Sequence, residues 1–159
     1  MKKAEYRIGT ELGEFLADFA GGRLAGLRLP GSWRCAPGTP LLKSQEGRAG
    51  RTLARQLGDF AAGRRVRFTV PLAPEGTPFQ KRVWVELRRL PRGATVTYAG
   101  LALRAGRPGA ARAAGSACGA NPIAILTPCH RAVAAGGPGG FGAGLAWKRR
   151  LLRLEGREL

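Results

Sequence analysis

Acidic residues are scarce in this chain: 10 Asp and Glu stand against 27 Lys and Arg, a formal charge of +17. That balance predicts attraction to polyanions, and affinity for a phosphate backbone without any reading of sequence. A GC-rich genome would explain why so few of the basic residues are lysine, but it leaves the shortage of acids unexplained. Cysteine is also sparse. Cys35, Cys118 and Cys129 form an odd number with no close CxxC spacing, which excludes a disulfide framework and a zinc-finger ligand set and implies a reducing compartment. Long hydrophobic runs are missing, since nothing approaches the roughly 18 apolar residues of a spanning helix. The start, Met1-Lys2-Lys3-Ala4-Glu5-Tyr6, carries charge without a following apolar block. These absences predict a soluble, cytoplasmic protein with no membrane partner. No internal repeat is evident.

What is present is 44% hydrophobic content in 159 residues, enough for one domain or two small ones. Residues 5–30 alternate apolar and polar in short runs broken by Gly21-Gly22 and read as a β-hairpin. Residues 31–40 read as loop. Leu53, Leu57, Phe60 and Ala61 recur at helical spacing over 51–62, with Gly63 as the stop, and residues 66–70 read as a further strand. The segment Pro71-Leu72-Ala73-Pro74-Glu75-Gly76 is the candidate linker, which divides the chain into 1–72 and 73–159.

Beyond the linker the pattern turns helical. Thr77 offers an N-cap with Pro78 at the first helical position, and Phe79, Val83, Trp84 and Leu87 share one face. Trp84 and Trp147 are expected in the core. Residues 98–105 and 108–119 predict two short helices joined at Gly106-Arg107, a helix-turn-helix arrangement. The second is dominated by Ala and Gly, which would let its backbone press close to a groove. Residues 134–140, mostly Gly and Ala, predict a flexible loop able to wall a pocket.

The run Asn121-Pro122-Ile123-Ala124-Ile125-Leu126-Thr127-Pro128-Cys129-His130-Arg131 contains the sole Asn and the sole His. It sets a thiol beside an imidazole and a guanidinium, cationic company that lowers a cysteine pKa and makes a nucleophile. A lone cysteine is otherwise commonly a small buried hydrophobe. The joining of this run to a basic, helix-turn-helix-like stretch separates the two readings.

Together these residues resemble the active-site signature of the O6-alkylguanine-DNA alkyltransferases, the methylated-DNA--protein-cysteine methyltransferase family, over about residues 76–156. The resemblance implies an α+β fold: a small ribonuclease-H-like α/β domain at 1–72, then a mostly helical domain at 73–159 with a winged helix-turn-helix-like motif. It implies a monomer that binds double-stranded DNA carrying O6-alkylguanine through the minor groove and flips the damaged base out, a physical requirement because a stacked base cannot be reached. O4-alkylthymine is left open as a further substrate. Cys129 would take the alkyl group irreversibly, once per molecule. His130 would act as base through a water, Glu155 would orient that histidine, and Asn121 would tie the recognition helix to the reactive loop. Arg112, in Gly109-Ala110-Ala111-Arg112-Ala113-Ala114-Gly115, would fill the gap left by the flipped base, with Gly115 on the same helix against the DNA. Tyr98 would press on the target phosphate and bond the base. The carbonyls of Cys129 and Ala132 would accept from the guanine amino group, the Gly142 amide would donate to O6, and Phe141 would line the pocket. No cofactor is implied. With a single histidine, no metal site of the kind some members carry can be assembled.

Two other classes fit part of the pattern. One is a helix-turn-helix regulator or lesion-recognition protein without transfer, in which Cys129 is a core residue. The other is a cysteine hydrolase using Cys129 and His130, a pair adjacent in sequence and poorly placed for direct proton transfer.

Overall fold

Alternating apolar and polar residues between tight turns give an antiparallel sheet, and the chain makes one more turn than the glycine pair alone announces. The computed structural model describes residues 3–34, 37–40 and 47–159. Cys35 and part of the expected 31–40 loop lie outside the described residues. The chain divides into two compact units, Met1–Glu75 and Gly76–Leu159.

In the first unit β1 (Lys3–Thr10), β2 (Gly13–Ala20) and β3 (Arg23–Arg28) form a three-stranded meander in the order β1-β2-β3. The expected hairpin is thus corrected to a meander. Thr10 makes the missed turn: its hydroxyl accepts from the Leu12 amide at 3.1 Å and donates to the Gly13 carbonyl at 3.0 Å. Phe15, Leu16, Leu24 and Leu27 are buried, as are Leu53, Leu57 and Phe60 of α1 (Arg48–Ala61). The strand expected at residues 66–70 does not form. Its backbone partners are taken by a side chain: Gln56 Nε2 donates to the Arg67 carbonyl at 2.9 Å, and the Thr69 amide donates to Gln56 Oε1 at 3.2 Å. Ladder contact comes later, where Leu72 bridges Leu24 in parallel.

The second unit opens with the legible signal. Thr77 and Gln80 form a reciprocal capping box, Pro78 takes the first turn, and α2 runs Pro78–Arg89. A two-residue strand, β4 (Val96–Thr97), leads into α3 (Tyr98–Arg104), where Thr97 Oγ1 accepts from the Gly100 amide at 3.0 Å. After a turn longer than Gly106-Arg107, α4 spans Ala111–Gly119, beginning three residues later than the sequence suggests because Gly109 adopts φ 80°. Then come a 3-10 turn at Cys129–Arg131, β5 (Ala132–Val133) parallel to β4, and α5 (Leu145–Leu154).

Val83, Trp84 and Leu87 of α2 pack with Leu90, Val96, Leu101, Ala105, Ala117 and Ala132 in one core. Trp84 is buried and its indole N–H donates to the Ala117 carbonyl at 2.8 Å, so truncation to Ala would cost about 3–5 kcal/mol. Trp147 departs from expectation. It is only half-buried, at the surface of α5 with the Arg150 guanidinium 5.0 Å from its ring. Among the described residues no helix is long and apolar enough to cross a membrane.

Candidate active site

The β4–β5 pair is the frame of the site. Val96 and Thr97 register with Ala132 and Val133, which places Tyr98 at the head of α3 and the Cys129–Arg131 turn at the two ends of a short parallel ladder. Tyr98, Gly115, Cys118, Gly119, Cys129, Gly140, Phe141 and Gly142 line a cavity of about 320 Å³. Five of the expected site residues therefore meet there: Cys129, Tyr98, Gly115, Phe141 and Gly142.

Asn121 presents the thiol. Its Nδ2 donates to Cys129 Sγ at 3.2 Å and to the Thr127 carbonyl at 2.8 Å, while its Oδ1 accepts from the Ile123 amide at 3.0 Å. All three bonds fold residues 121–129 back on themselves. Within the loop Ile125 is held at φ 68°, a left-handed conformation rare for a β-branched residue and one that surrounding contacts must enforce.

The expected cationic company of the thiol is rearranged. His130 and Arg131 both turn to Glu155 at the end of α5. His130 Nε2 lies 2.8 Å from Oε1, Arg131 Nη2 donates to Oε1 at 2.8 Å and Nε to Oε2 at 3.0 Å, and the Gly93 amide adds a bond to Oε2 at 3.2 Å. Burial pushes the Cys129 thiol up from its usual range, against the Asn121 hydrogen bond and the nearby Lys148 charge, which pull it down. The sequence expectation of a lowered thiol pKa is thereby corrected. The imidazole and guanidinium expected beside the thiol are bonded to Glu155 instead.

Glu155 is buried, which alone would raise its pKa; the hydrogen bonds and charges of His130 and Arg131 overcome burial and hold it at about 2. His130 is fully buried, and desolvation keeps its pKa below the ordinary value. With a carboxylate against Nε2, that nitrogen carries the proton and Nδ1 keeps its lone pair. Nδ1 has no hydrogen-bond partner among the described residues.

Lys148 was not read from the sequence. It is fully buried, and its Nζ donates to the Ala132 carbonyl at 2.5 Å and to the Gly140 carbonyl at 3.0 Å, 5.9 Å from the Tyr98 ring centre. The signal was its spacing: Lys148, Leu151, Leu152 and Glu155 recur at i, i+3, i+4 and i+7 on the inward face of α5. The glycine-rich loop is pinned at one point. Tyr98 Oη accepts from the Gly140 amide at 3.2 Å and lies 3.3 Å from its carbonyl. Next to it, Gly139 sits at φ 69°, where a Cβ would come within 2.6 Å of Tyr98 Oη.

Ala132 is buried outside the lining, with its carbonyl engaged by Lys148. Arg112 is exposed on the first turn of α4, away from the cavity lining. Cys118, counted in the sequence but given no role, is the second thiol of the cavity. Among the described residues no cluster of three His, Cys, Asp or Glu could hold a metal ion.

Comparison with known proteins bears on this geometry. Residues 78–157 match the family described as 6-O-methylguanine DNA methyltransferase, DNA binding domain. A Methanosarcina acetivorans protein named methylated-DNA--protein-cysteine methyltransferase is 52% identical over 90 residues, covering 56% of this chain and 58% of its own length. A Shigella flexneri protein of the same name is 51% identical over 89 residues, 55% of this chain and 52% of its own. The chain thus spans about half the length of the curated relatives it matches. Crystal structures of Mycobacterium tuberculosis O6-methylguanine methyltransferase, and of OGT from that organism in complex with DNA, superpose with a TM-score of 0.82 at 38% identity. The first covers 97% of this chain and 93% of that one, the second 96% and 92%.

Proposed function

The chain belongs to the family of the 6-O-methylguanine DNA methyltransferase DNA binding domain, and from that premise we propose that it repairs DNA by moving the alkyl group of O6-alkylguanine irreversibly onto Cys129. The observation that carries the reading is the cavity itself. A thiol oriented by Asn121 shares it with a tyrosine, a phenylalanine and four glycines. At about 320 Å³ it lies at the small end of ligand pockets, which run about 300–1,000 Å³.

In the reaction Cys129 Sγ attacks the alkyl carbon, the carbon–O6 bond breaks, and guanine leaves with the bonding pair. His130 Nδ1 takes the thiol proton across a water, and Glu155 holds the ring by Nε2 and stabilises it once charged. This relay matters because burial disfavours the free thiolate. The Gly142 amide donates to O6 as charge develops there. The Cys129 carbonyl accepts from the guanine amino group, as does that of Ala132, which keeps a second lone pair beyond its bond to Lys148.

The small residues of α4 lie against the DNA minor groove, with Gly115 near the backbone and Arg112 entering the stack in place of the flipped base. In this reading the first unit is a ribonuclease-H-like scaffold and the second carries a winged helix-turn-helix-like motif. The protein works as a monomer in a reducing cytoplasm, where its thiol survives. It takes no cofactor.

The test is stoichiometry. A duplex carrying O6-methylguanine is incubated with increasing protein and the residual lesion is measured after nucleoside digestion. One lesion lost per protein molecule is expected. Binding without loss would establish a lesion-recognition protein, and repeated turnover would establish a different enzyme.

A further inference from the structure

We infer that Cys118 is a resolving thiol for Cys129: under a hydroperoxide the two close a reversible disulfide across the cavity that they share. Both cysteines line the cavity and both pack against the Trp84 core. Asn121 is bonded to both residues. Its backbone amide donates to the Cys118 carbonyl at 3.2 Å, and its side-chain amide donates to Cys129 Sγ at 3.2 Å, which ties the end of α4 to the reactive sulfur. The pair is defined by this cavity, whatever substrate it takes.

The chemistry balances with one peroxide. The Cys129 thiolate attacks the peroxide oxygen, an S–O bond forms, the O–O bond breaks, and hydroxide leaves and is protonated to water. Sulfur is thereby oxidised by two electrons to a sulfenic acid. The Cys118 sulfur then attacks that sulfur, S–S forms, S–O breaks, and the departing hydroxide takes the Cys118 proton as a second water. In the resting state Cys118 is a poor nucleophile, because burial pushes its thiol up to about 12. The Lys148 charge works against that burial and favours the attacking form of Cys118. A protein that spends its thiol once loses everything if that thiol goes on to sulfinic acid, which has no general route back. A disulfide stops the sequence at a reducible stage.

The full chain is treated with hydrogen peroxide, quenched, labelled with iodoacetamide under denaturing conditions and mapped by peptide mass. The expected result is loss of two hydrogens with Cys118 and Cys129 both unlabelled and joined to each other, and full return of both labels after dithiothreitol. Cys118→Ser, with Cys118→Ala as a second version of the same change, should instead accumulate Cys129 sulfinic and sulfonic acids that dithiothreitol does not reverse. The inference is overturned if wild type and both variants over-oxidise at the same rate, or if the crosslink joins Cys129 to Cys35 or to a second chain.

Discussion

Replacing Glu155 with Gln tests the buried polar centre of the second unit more sharply than any core truncation. The carboxylate accepts from His130, twice from Arg131 and from the Gly93 amide, and the change leaves a guanidinium of low exposure without its counter-ion. Two routes give the size of the effect. Removing one partner of a buried ion pair costs about 3–5 kcal/mol. A carboxyl held at about 2 against an ordinary 4.5 corresponds to about 3 kcal/mol of stability near neutrality. For a chain of this size the transition should fall by about 2–4 °C per kcal/mol, so roughly 6–12 °C in all. The sign with pH follows from the depressed folded pKa: the contribution is fully present above the unfolded value and is lost as pH falls through 4.5 towards 2. His130, also depressed by burial, adds a loss that starts below its ordinary 6.5. Urea unfolding of wild type and Glu155→Gln at a series of pH values reads both. The gap should be widest near neutrality and narrow from pH 4.5 towards 2, because over that range the unfolded wild-type carboxyl takes a proton that the folded one does not. A gap that stays constant with pH, or one under about 1 kcal/mol at neutrality, well below the buried-pair range, would refute the reasoning.

Asn121→Ala removes the donor to Cys129 Sγ and leaves the Ile123 amide unpaired. Hydrogen bonds to charged groups are worth about 1.5–3 kcal/mol, so alkylation of Cys129 by iodoacetamide at fixed pH should slow by about 10- to 100-fold, with the pH midpoint of the reaction displaced upward. Gly139→Ala forces a Cβ towards Tyr98 Oη at a left-handed position, a backbone cost of about 1–2 kcal/mol. The loop should shift, and lesion transfer should drop more than the thermal transition of the second unit, as a melt alongside a single-turnover assay would register.

How far the sequence was legible depends on whether the deciding interaction was local. Thr77, Pro78 and Gln80 announce α2 because a capping box is made of residues three apart. The strand expected at residues 66–70 failed because its competitor, Gln56, sits on a helix more than ten residues earlier and no pattern within the strand reveals it. Asn121, Cys129 and His130 stood out by rarity and adjacency, but not the direction of His130 and Arg131, which depends on Glu155 arriving from α5. Lys148 was hidden by its type. A lysine in a helix rich in arginine reads as solvent-facing unless its place on the Leu151–Leu152 stripe is counted.

The central claim is tested most directly by the intact mass of the full chain after incubation with duplex DNA containing one O6-methylguanine, beside a Cys129→Ser control. A gain of one methylene, mapped to Cys129 and missing from the control, is the predicted result. An unchanged mass while the damaged duplex stays bound, or a methyl group found on Cys118, would contradict the account.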